Sequence, residues 1–214
     1  MSHAIASHGG GTGHETTTGL THNKLMMWAF LASDCMFFGT LIMTYMVYRG
    51  RSLTGPFPHG GNGTEGLFSI PFTSVSAAVL LISSLAMVLA LAGIQQNKHR
   101  AFRAWLVAVI LLGSLFLGNQ FFEFTEFYEH GLSIPKNLFG TTFFVLTGFH
   151  GTHVFIGVVW LTSLVIMSLR GLIRQSDSEK VEIAGLYWHF VDIVWILIFT
   201  LVYLIPYGTP PAGA

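Results

Sequence analysis

The sequence predicts an all-helical integral membrane protein, a bundle of five transmembrane helices in one domain. Hydrophobic residues make up 52% of its 214 residues and charged residues only 9%, whereas soluble domains contain about 25% charged residues. Ten Lys and Arg residues balance ten Asp and Glu residues. This balance provides no positive field to attract nucleic acid, so the composition excludes a nucleic-acid partner.

Long gaps between charged residues locate the helices, because about 20 apolar residues cross a hydrocarbon core of about 30 Å. The first gap is interrupted by Asp34. The fifth ends at Pro206, since the Thr-Pro-Pro sequence at 209–211 cannot continue a helix. The predicted spans are residues 25–48, 66–97, 104–122, 137–169 and 184–206.

Short connections between these spans leave no room for a soluble domain. We expect a membrane domain at residues 24–207, a flexible cytoplasmic tail at 1–23 and an external tail at 208–214. The N-terminal tail is rich in Gly, Ser, Thr and His and lacks the apolar core of a secretory signal. Seven Lys and Arg residues fall on the N-terminal side of the bundle and three on the other. This bias predicts a cytoplasmic N-terminus and an external C-terminus.

Ionisable side chains within the spans are the main functional candidates, because charges are costly at membrane depth. A rise of 1.5 Å per residue predicts that Asp34 lies about 15 Å from the inner surface, and that His189 and Asp192 lie at about 7 and 12 Å. The same rise predicts about 10 and 6 Å for His150 and His153. We therefore expect these five residues to form one polar cluster in the inner half of the membrane.

The residues leave three interpretations of this inner cluster open. The side chains could be hydrogen-bonded packing between helices, a proton relay or reservoir, or ligands of haem or a metal. His150 and His153 share one face of a helix at a spacing that suits a metal better than bis-histidine haem. On the fifth span, Trp188, Asp192 and Trp195 form a polar stripe that should face protein.

Three polar residues near the other end of the third span are expected to form a separate outer site. Gln120, Glu123 and Glu126 follow one another at intervals of three residues and so share one helix face.

Two sequence motifs resemble subunit III of the haem-copper terminal oxidases. The fourth span reads FFVLTGFHGTHVFIG at residues 143–157, and the fifth reads LYWHFVDIVWILIFTLVYL at 186–204. Further similarity covers the Ser33-Asp34 pair with Phe37 and Phe38, and the third span from Leu117 to Phe124. The positions that match the family motifs are Asp34, Gln120, Glu123, His150, His153, Glu182, Trp188, His189, Asp192 and Trp195.

The resemblance implies a subunit without haem or copper that packs against catalytic subunit I, which would hold both cofactors. Many family members have seven helices and a lipid-filled cleft beside the first pair. The five spans here are similar to bacterial short forms that lack this pair, so bound phospholipid must be held differently. Many members also have Glu at the position of Asp34, which keeps the carboxylate but is one methylene shorter.

The resulting expectation is a non-redox accessory subunit of a proton-pumping oxygen reductase in the bacterial inner membrane. It would stabilise the catalytic subunit, hold phospholipid and support proton uptake. Cytochrome c oxidase is the first interpretation, with a quinol oxidase as the alternative. A stand-alone transporter is a different class, but it predicts broken helices or inverted repeats, and the sequence shows neither a repeat nor a proline in the central part of a span. A haem-binding membrane anchor is the third class.

Overall fold

Five long helices make up most of the described part of the chain, as the sequence predicts. The structure, a computed structural model, describes residues 21–48, 70–129 and 138–205. All five helices are long and apolar enough to cross a membrane, and the described residues contain no strand. The helices are α1 (His22–Tyr48), α2 (Ile70–Gln95), α3 (His99–Glu129), α4 (Leu138–Leu169) and α5 (Ser178–Ile198). A short 3-10 helix, Gln175–Asp177, precedes α5, and a π-helical segment, Phe199–Leu204, continues it.

Several helix bounds differ from the charge-free spans. Helix α3 extends beyond residues 104–122 at both ends, and α5 begins six residues before position 184. A gap between charges marks the part of a helix that lies in hydrocarbon, whereas backbone hydrogen bonds continue into the charged turns beyond it. Pro71 lies in the first turn of α2, where a helix tolerates proline because that turn has no intrahelical donor to lose.

The predicted tails at 1–23 and 208–214 lie almost wholly outside the described residues, as do Arg49, Arg51 and Lys136. The seven cationic residues of the N-terminal side are all described. They lie where α1, α3 and α5 begin and where α2 and α4 end, so we call this the cationic end of the bundle. They are Lys24, Lys98, Arg100, Arg103, Arg170, Arg174 and Lys180.

Two connections at the cationic end are tight and have a clear local cause. Asn97 adopts a left-handed conformation with φ of 57° and ends α2 by donating to the Ile94 carbonyl, while Lys98 donates to the Gly93 carbonyl. This pair of bonds is a Schellman motif. Gly171, with φ of 71°, ends α4 in the same way. Both turns reverse the chain within a few residues, so the connected helices are antiparallel neighbours.

Helix α5 lies at the centre of the bundle. It packs against α1, α2 and α4, and its indole rings also reach α3. Eleven of its residues are buried, whereas only four are buried in α1. The span that contains α5 therefore has the largest buried share among the five described spans.

A salt bridge sets the relative height of α1 and α5. The Lys24 ammonium group lies 2.9 Å from the Glu182 carboxylate, and the Thr21 hydroxyl group donates to Glu179. Counted from this level at 1.5 Å per residue, Asp34 and Asp192 both lie about 15 Å into the bundle. Asp34 and Asp192 therefore lie at about the same level along the bundle.

Candidate functional site

Asp34 and His153 form an interhelical pair between α1 and α4. The His153 Nε2 atom lies 3.5 Å from a carboxylate oxygen of Asp34. The other ring nitrogen, Nδ1, lies 2.8 Å from the Phe149 carbonyl oxygen, to which it donates. The Tyr187 hydroxyl group of α5 donates to the His153 backbone carbonyl over 2.9 Å. These contacts join three helices at the level of Asp34.

His150 is enclosed by aromatic rings one turn away. Its side chain is fully buried and stacks on Trp195 with ring centroids 4.9 Å apart. Phe116 of α3 and Phe38 of α1 approach edge-on at 5.9 and 6.4 Å. Neither ring nitrogen has a hydrogen-bond partner among the described residues. The imidazole of α4 therefore packs as an aromatic ring against side chains of α1, α3 and α5.

His189 and Asp192 belong to a second group, on the side of α5 that faces α2. The His189 Nδ1 atom lies 2.6 Å from the Ser84 hydroxyl oxygen. The Asp192 side chain is buried, and neither of its carboxyl oxygens has a hydrogen-bond partner among the described residues. Ser84 thus gives His189 a polar partner on α2.

The structure thus divides the five residues expected in one cluster into two groups. Asp34, His150 and His153 lie where α1, α4 and α5 meet, and the other two face α2. No hydrogen bond or ion pair joins the groups within the described ranges. Trp195 packs between them, because it stacks on His150 and lies one turn from Asp192. Sequence spacing gives the position of a residue along its helix, but the direction in which each side of α5 faces depends on the neighbouring helices.

Trp188 is held between two glycines and a serine. Its indole nitrogen donates to the Ser83 hydroxyl group over 3.0 Å. An added Cβ atom would lie 2.6 Å from the Trp188 ring at Gly113 of α3, and 2.9 Å from it at Gly157 of α4. Gly113 and Gly157 therefore mark points where α3 and α4 approach α5 closely.

The polar residues expected to form an outer site on α3 have three different environments. Gln120 is buried and donates from Nε2 to the Thr147 carbonyl of α4 over 2.9 Å. Its amide oxygen lies against Gly151, next to His150. Glu123 is buried, whereas Glu126 is exposed. Gln120 therefore lies beside the His150 group and not in a separate site with the two glutamates, because α4 crosses α3 at Gly151.

Glu123 is the centre of a polar contact that the sequence does not reveal. The Thr73 hydroxyl group of α2 donates to a Glu123 carboxyl oxygen over 2.9 Å. The Tyr203 hydroxyl group also hydrogen-bonds this carboxyl group. Tyr203 lies in the π-helical segment, whose wider turn changes the direction of side chains relative to an α-helix. A deviation of this kind leaves no signal in the hydrophobic pattern.

Metal-ligand geometry is not found among the described residues. No group of three or more His, Cys, Asp or Glu side chains is arranged to hold a metal ion there. His150 and His153 share a helix face, but Asp34 contacts only His153, and His189 contacts Ser84 of α2.

Comparison with known proteins finds one family across nearly the whole chain. The family model described as "Cytochrome c oxidase subunit III" matches residues 2–207. "Probable quinol oxidase subunit 3" of Staphylococcus saprophyticus is 35% identical over 184 residues, covering 86% of this chain and 89% of that protein. "Quinol oxidase subunit 3" of Bacillus subtilis is 37% identical over 187 residues, 87% and 88% of the two chains. "Cytochrome c oxidase subunit 3" of Bacillus sp. strain PS3 is 33% identical over 183 residues, 85% and 86% of the two chains.

Proposed function

The chain belongs to the cytochrome c oxidase subunit III family, and from that premise we propose that it is the non-redox subunit that stabilises the catalytic subunit. It is subunit III of a haem-copper oxidase, a multi-pass protein of the bacterial plasma membrane. Membership in this family implies association with other oxidase subunits. We further propose that this chain contacts subunit I, holds phospholipid and supports proton uptake. We also propose that it carries no haem or copper itself.

The observation that carries the proposal is that the family-motif residues join helices of this chain to one another. Trp188 contacts α2, α3 and α4, and His150 packs against rings from three helices. An axial haem ligand needs an open coordination side and a second imidazole opposite it. The His150 ring is instead covered by Phe38, Phe116 and Trp195. This geometry favours a scaffold over a redox centre.

A groove between α3 and α4 supports the phospholipid part of the proposal. The groove encloses about 270 Å³ and is lined mainly by apolar side chains and two glycines. An acyl chain fits such a surface because neither side presents a charged group. The lining residues are Leu117, Gln120, Phe121, Phe124, Gly148, Gly151, Thr152 and Phe155.

Removing the chain from the oxidase tests the accessory role. A complex purified without it should keep its haem and copper content and its initial rate of oxygen reduction, because both centres lie in the partner subunits. Its activity should decline faster during continuous turnover, because the catalytic subunit has lost a stabilising neighbour. The measurements are metal analysis, haem spectra and an oxygen-consumption trace, with the complete complex as control. Loss of a stoichiometric haem or copper along with this chain would contradict the proposal.

The orientation of the bundle can be tested by cysteine labelling. A cytoplasmic cationic end predicts that a Cys at position 98 is labelled only from the cytoplasm and a Cys at position 136 only from outside. The reason is the preference of Lys and Arg for the cytoplasmic side of short connections. Cys35 should first be replaced by Ser, because it is exposed. Labelling of both positions from the same side would refute the five-span orientation.

The proposal leaves two candidates for the electron donor of the oxidase complex. Our first candidate is cytochrome c, which the relative from Bacillus sp. strain PS3 has in its name. The second is a quinol, favoured by the names of the relatives from Staphylococcus saprophyticus and Bacillus subtilis. An oxygen-consumption assay of the purified complex with each reduced donor separates the two.

A further inference from the structure

The central helix α5 is exposed on one side of the bundle. Helices α1, α4, α3 and α2 surround it in that order, and each of them packs against the next. Helices α1 and α2 both pack against α5, but they are not major neighbours of each other within the described ranges. The ring of helices around α5 is therefore open between α1 and α2.

The surface in this opening is apolar and contains one imidazole. Its floor is a stripe of α5 residues at intervals of three and four, which share one helix face. Ile193 is 56% exposed and Ile196 42% exposed, and the other two floor residues are partly exposed. Exposed α2 side chains, one turn to either side of Ser84, form a wall. We call this surface the α5 trough, with the floor residues Leu186, His189, Ile193 and Ile196 and the wall residues Leu81 and Val88.

The contact with Ser84 fixes which nitrogen of His189 faces outwards. The Ser84 hydroxyl oxygen lies 2.6 Å from Nδ1. The Ser83 hydroxyl group donates to the Leu80 carbonyl of its own helix, whereas Ser84 makes no such bond among the described residues. Ser84 therefore donates to Nδ1, and the imidazole carries its hydrogen on Nε2. This second nitrogen lies at the surface of the trough and has no acceptor in the described part of the chain.

His189 differs in this respect from the other imidazole near the surface of the bundle. His153 Nε2 faces the Asp34 carboxylate at 3.5 Å, so it has an acceptor within the chain. The acceptor for His189 Nε2 must come from outside the described helices.

An acyl chain cannot supply this acceptor. His189 lies about 10 Å along α5 from Glu182, which pairs with Lys24 at the cationic end, and apolar residues flank it on the stripe. A polar group that meets only hydrocarbon loses the hydrogen bond it would make in water, which is costly. Ionisable side chains within membrane spans accordingly face protein or a water-filled cavity. A protein segment at this level is a transmembrane helix, because a helix satisfies its own backbone groups in hydrocarbon.

We propose that the α5 trough docks a transmembrane helix of catalytic subunit I, and that this helix accepts a hydrogen bond from His189 Nε2. The acceptor is a side-chain oxygen, because the backbone carbonyls of a regular helix are already bonded within it. Apolar side chains of the same helix cover the exposed isoleucines of the floor. The inference deepens the accessory role proposed above and rests on it. Its starting point is the association with other oxidase subunits that family membership implies.

The first test maps the trough by photocrosslinking in the intact oxidase complex, in its native membrane. A photoreactive benzoylphenylalanine replaces Ile193 in one variant and Leu111 in the control variant. Leu111 is 64% exposed, but it lies on α3, across the bundle from the opening. We expect position 193 to crosslink to subunit I and position 111 not to do so. Adducts of position 193 with lipid alone, with a second copy of this chain or with another subunit would overturn the proposal.

The second test asks which nitrogen of His189 holds the subunit in the complex. The amide nitrogen of Asn in His189→Asn takes the place of Nδ1, whereas that of Gln in His189→Gln reaches the place of Nε2. A hydrogen bond to subunit I predicts that His189→Gln is retained like the wild type. His189→Asn should dissociate from the solubilised complex with a dissociation constant higher by about threefold or more, the effect of an average hydrogen bond between membrane helices.

The reverse ranking, or equal retention of the two variants, would mean that His189 acts only through Ser84 and would overturn the hydrogen bond to subunit I. The amount of each variant in the membrane before solubilisation shows whether the chain itself folds. If a variant is already depleted there, the crosslink at position 193 decides the proposal.

Failure of this inference differs from failure of the accessory role. If position 193 does not reach subunit I while the complex without this chain keeps its haem and copper, the trough is rejected and the accessory role stands. Loss of haem or copper together with this chain would instead reject the accessory role.

Discussion

Replacing Gly113 and Gly157 together by alanine should destabilise the bundle strongly, because both added methyl groups meet the Trp188 ring. The new Cβ atoms would lie 2.6 and 2.9 Å from ring carbons, closer than real contacts allow. The two glycines lie on α3 and α4, so the ring cannot move away from one without approaching other packed atoms. Overpacking costs about 1–3 kcal/mol per site, and the better helix propensity of alanine offsets about 1 kcal/mol per site. We expect a net loss of about 2 kcal/mol, measured as a lower thermal midpoint and poorer retention of the subunit in detergent.

The matched control is the double variant Gly118→Ala and Gly148→Ala on the same two helices. An added Cβ atom meets nothing within 4 Å at either position. Only the gain in helix propensity remains, so this variant should be as stable as the wild type or more stable. Equal destabilisation of the two double variants would mean that Trp188 is not confined as the structure describes. Gly148, like Gly39 of α1, therefore does not mark a close approach between the described helices.

Glu123→Ala should produce the second large loss of stability. The substitution removes the carboxyl group to which both Thr73 and Tyr203 are hydrogen-bonded. It leaves buried hydroxyl groups without this acceptor and opens a cavity between α2, α3 and the π-helical segment. The two effects together should cost about 2–4 kcal/mol. Glu123→Gln keeps a carbonyl acceptor and should cost less than the alanine variant. The measurement is again the thermal midpoint of the complex and its content of this subunit.

Glu129→Ala is the control for this prediction, because Glu129 is an exposed glutamate at the end of the same helix. Its removal should change stability by no more than about 0.5 kcal/mol. If Glu123→Ala is no more harmful than Glu129→Ala, the Glu123 contact is not a significant link between helices.

The sequence was sufficient for the helix count and for which polar residues are neighbours along the same helix. Charges are so costly in hydrocarbon that the gaps between them reveal the spans, and the observed helices overlap all five gaps. Spacing along a helix also placed His150 next to His153 and His189 next to Asp192. The family motifs extended this to the identity of the protein family, which the match over residues 2–207 confirms.

Partners across helices could not be predicted, because hydrophobic pattern says nothing about which helix lies opposite a given face. Ser84 and Thr73 look like ordinary small residues in an apolar helix, yet each contacts an ionisable side chain of another helix. Gln120 was grouped with Glu123 by helix periodicity, but the crossing of α4 at Gly151 places it beside His150.

What the sequence by itself determined is therefore which segments form helices that are long and apolar enough to cross a membrane. Transfer free energy acts on each residue locally, so it can be read along the chain. Only the tertiary structure decided that α5 lies at the centre, that Trp188 fits between Gly113 and Gly157, and that the polar cluster divides in two. These outcomes depend on how the surfaces of different helices pack together. Several arrangements of the helices would bury similar amounts of apolar surface, and van der Waals contacts and single hydrogen bonds between helices select one of them.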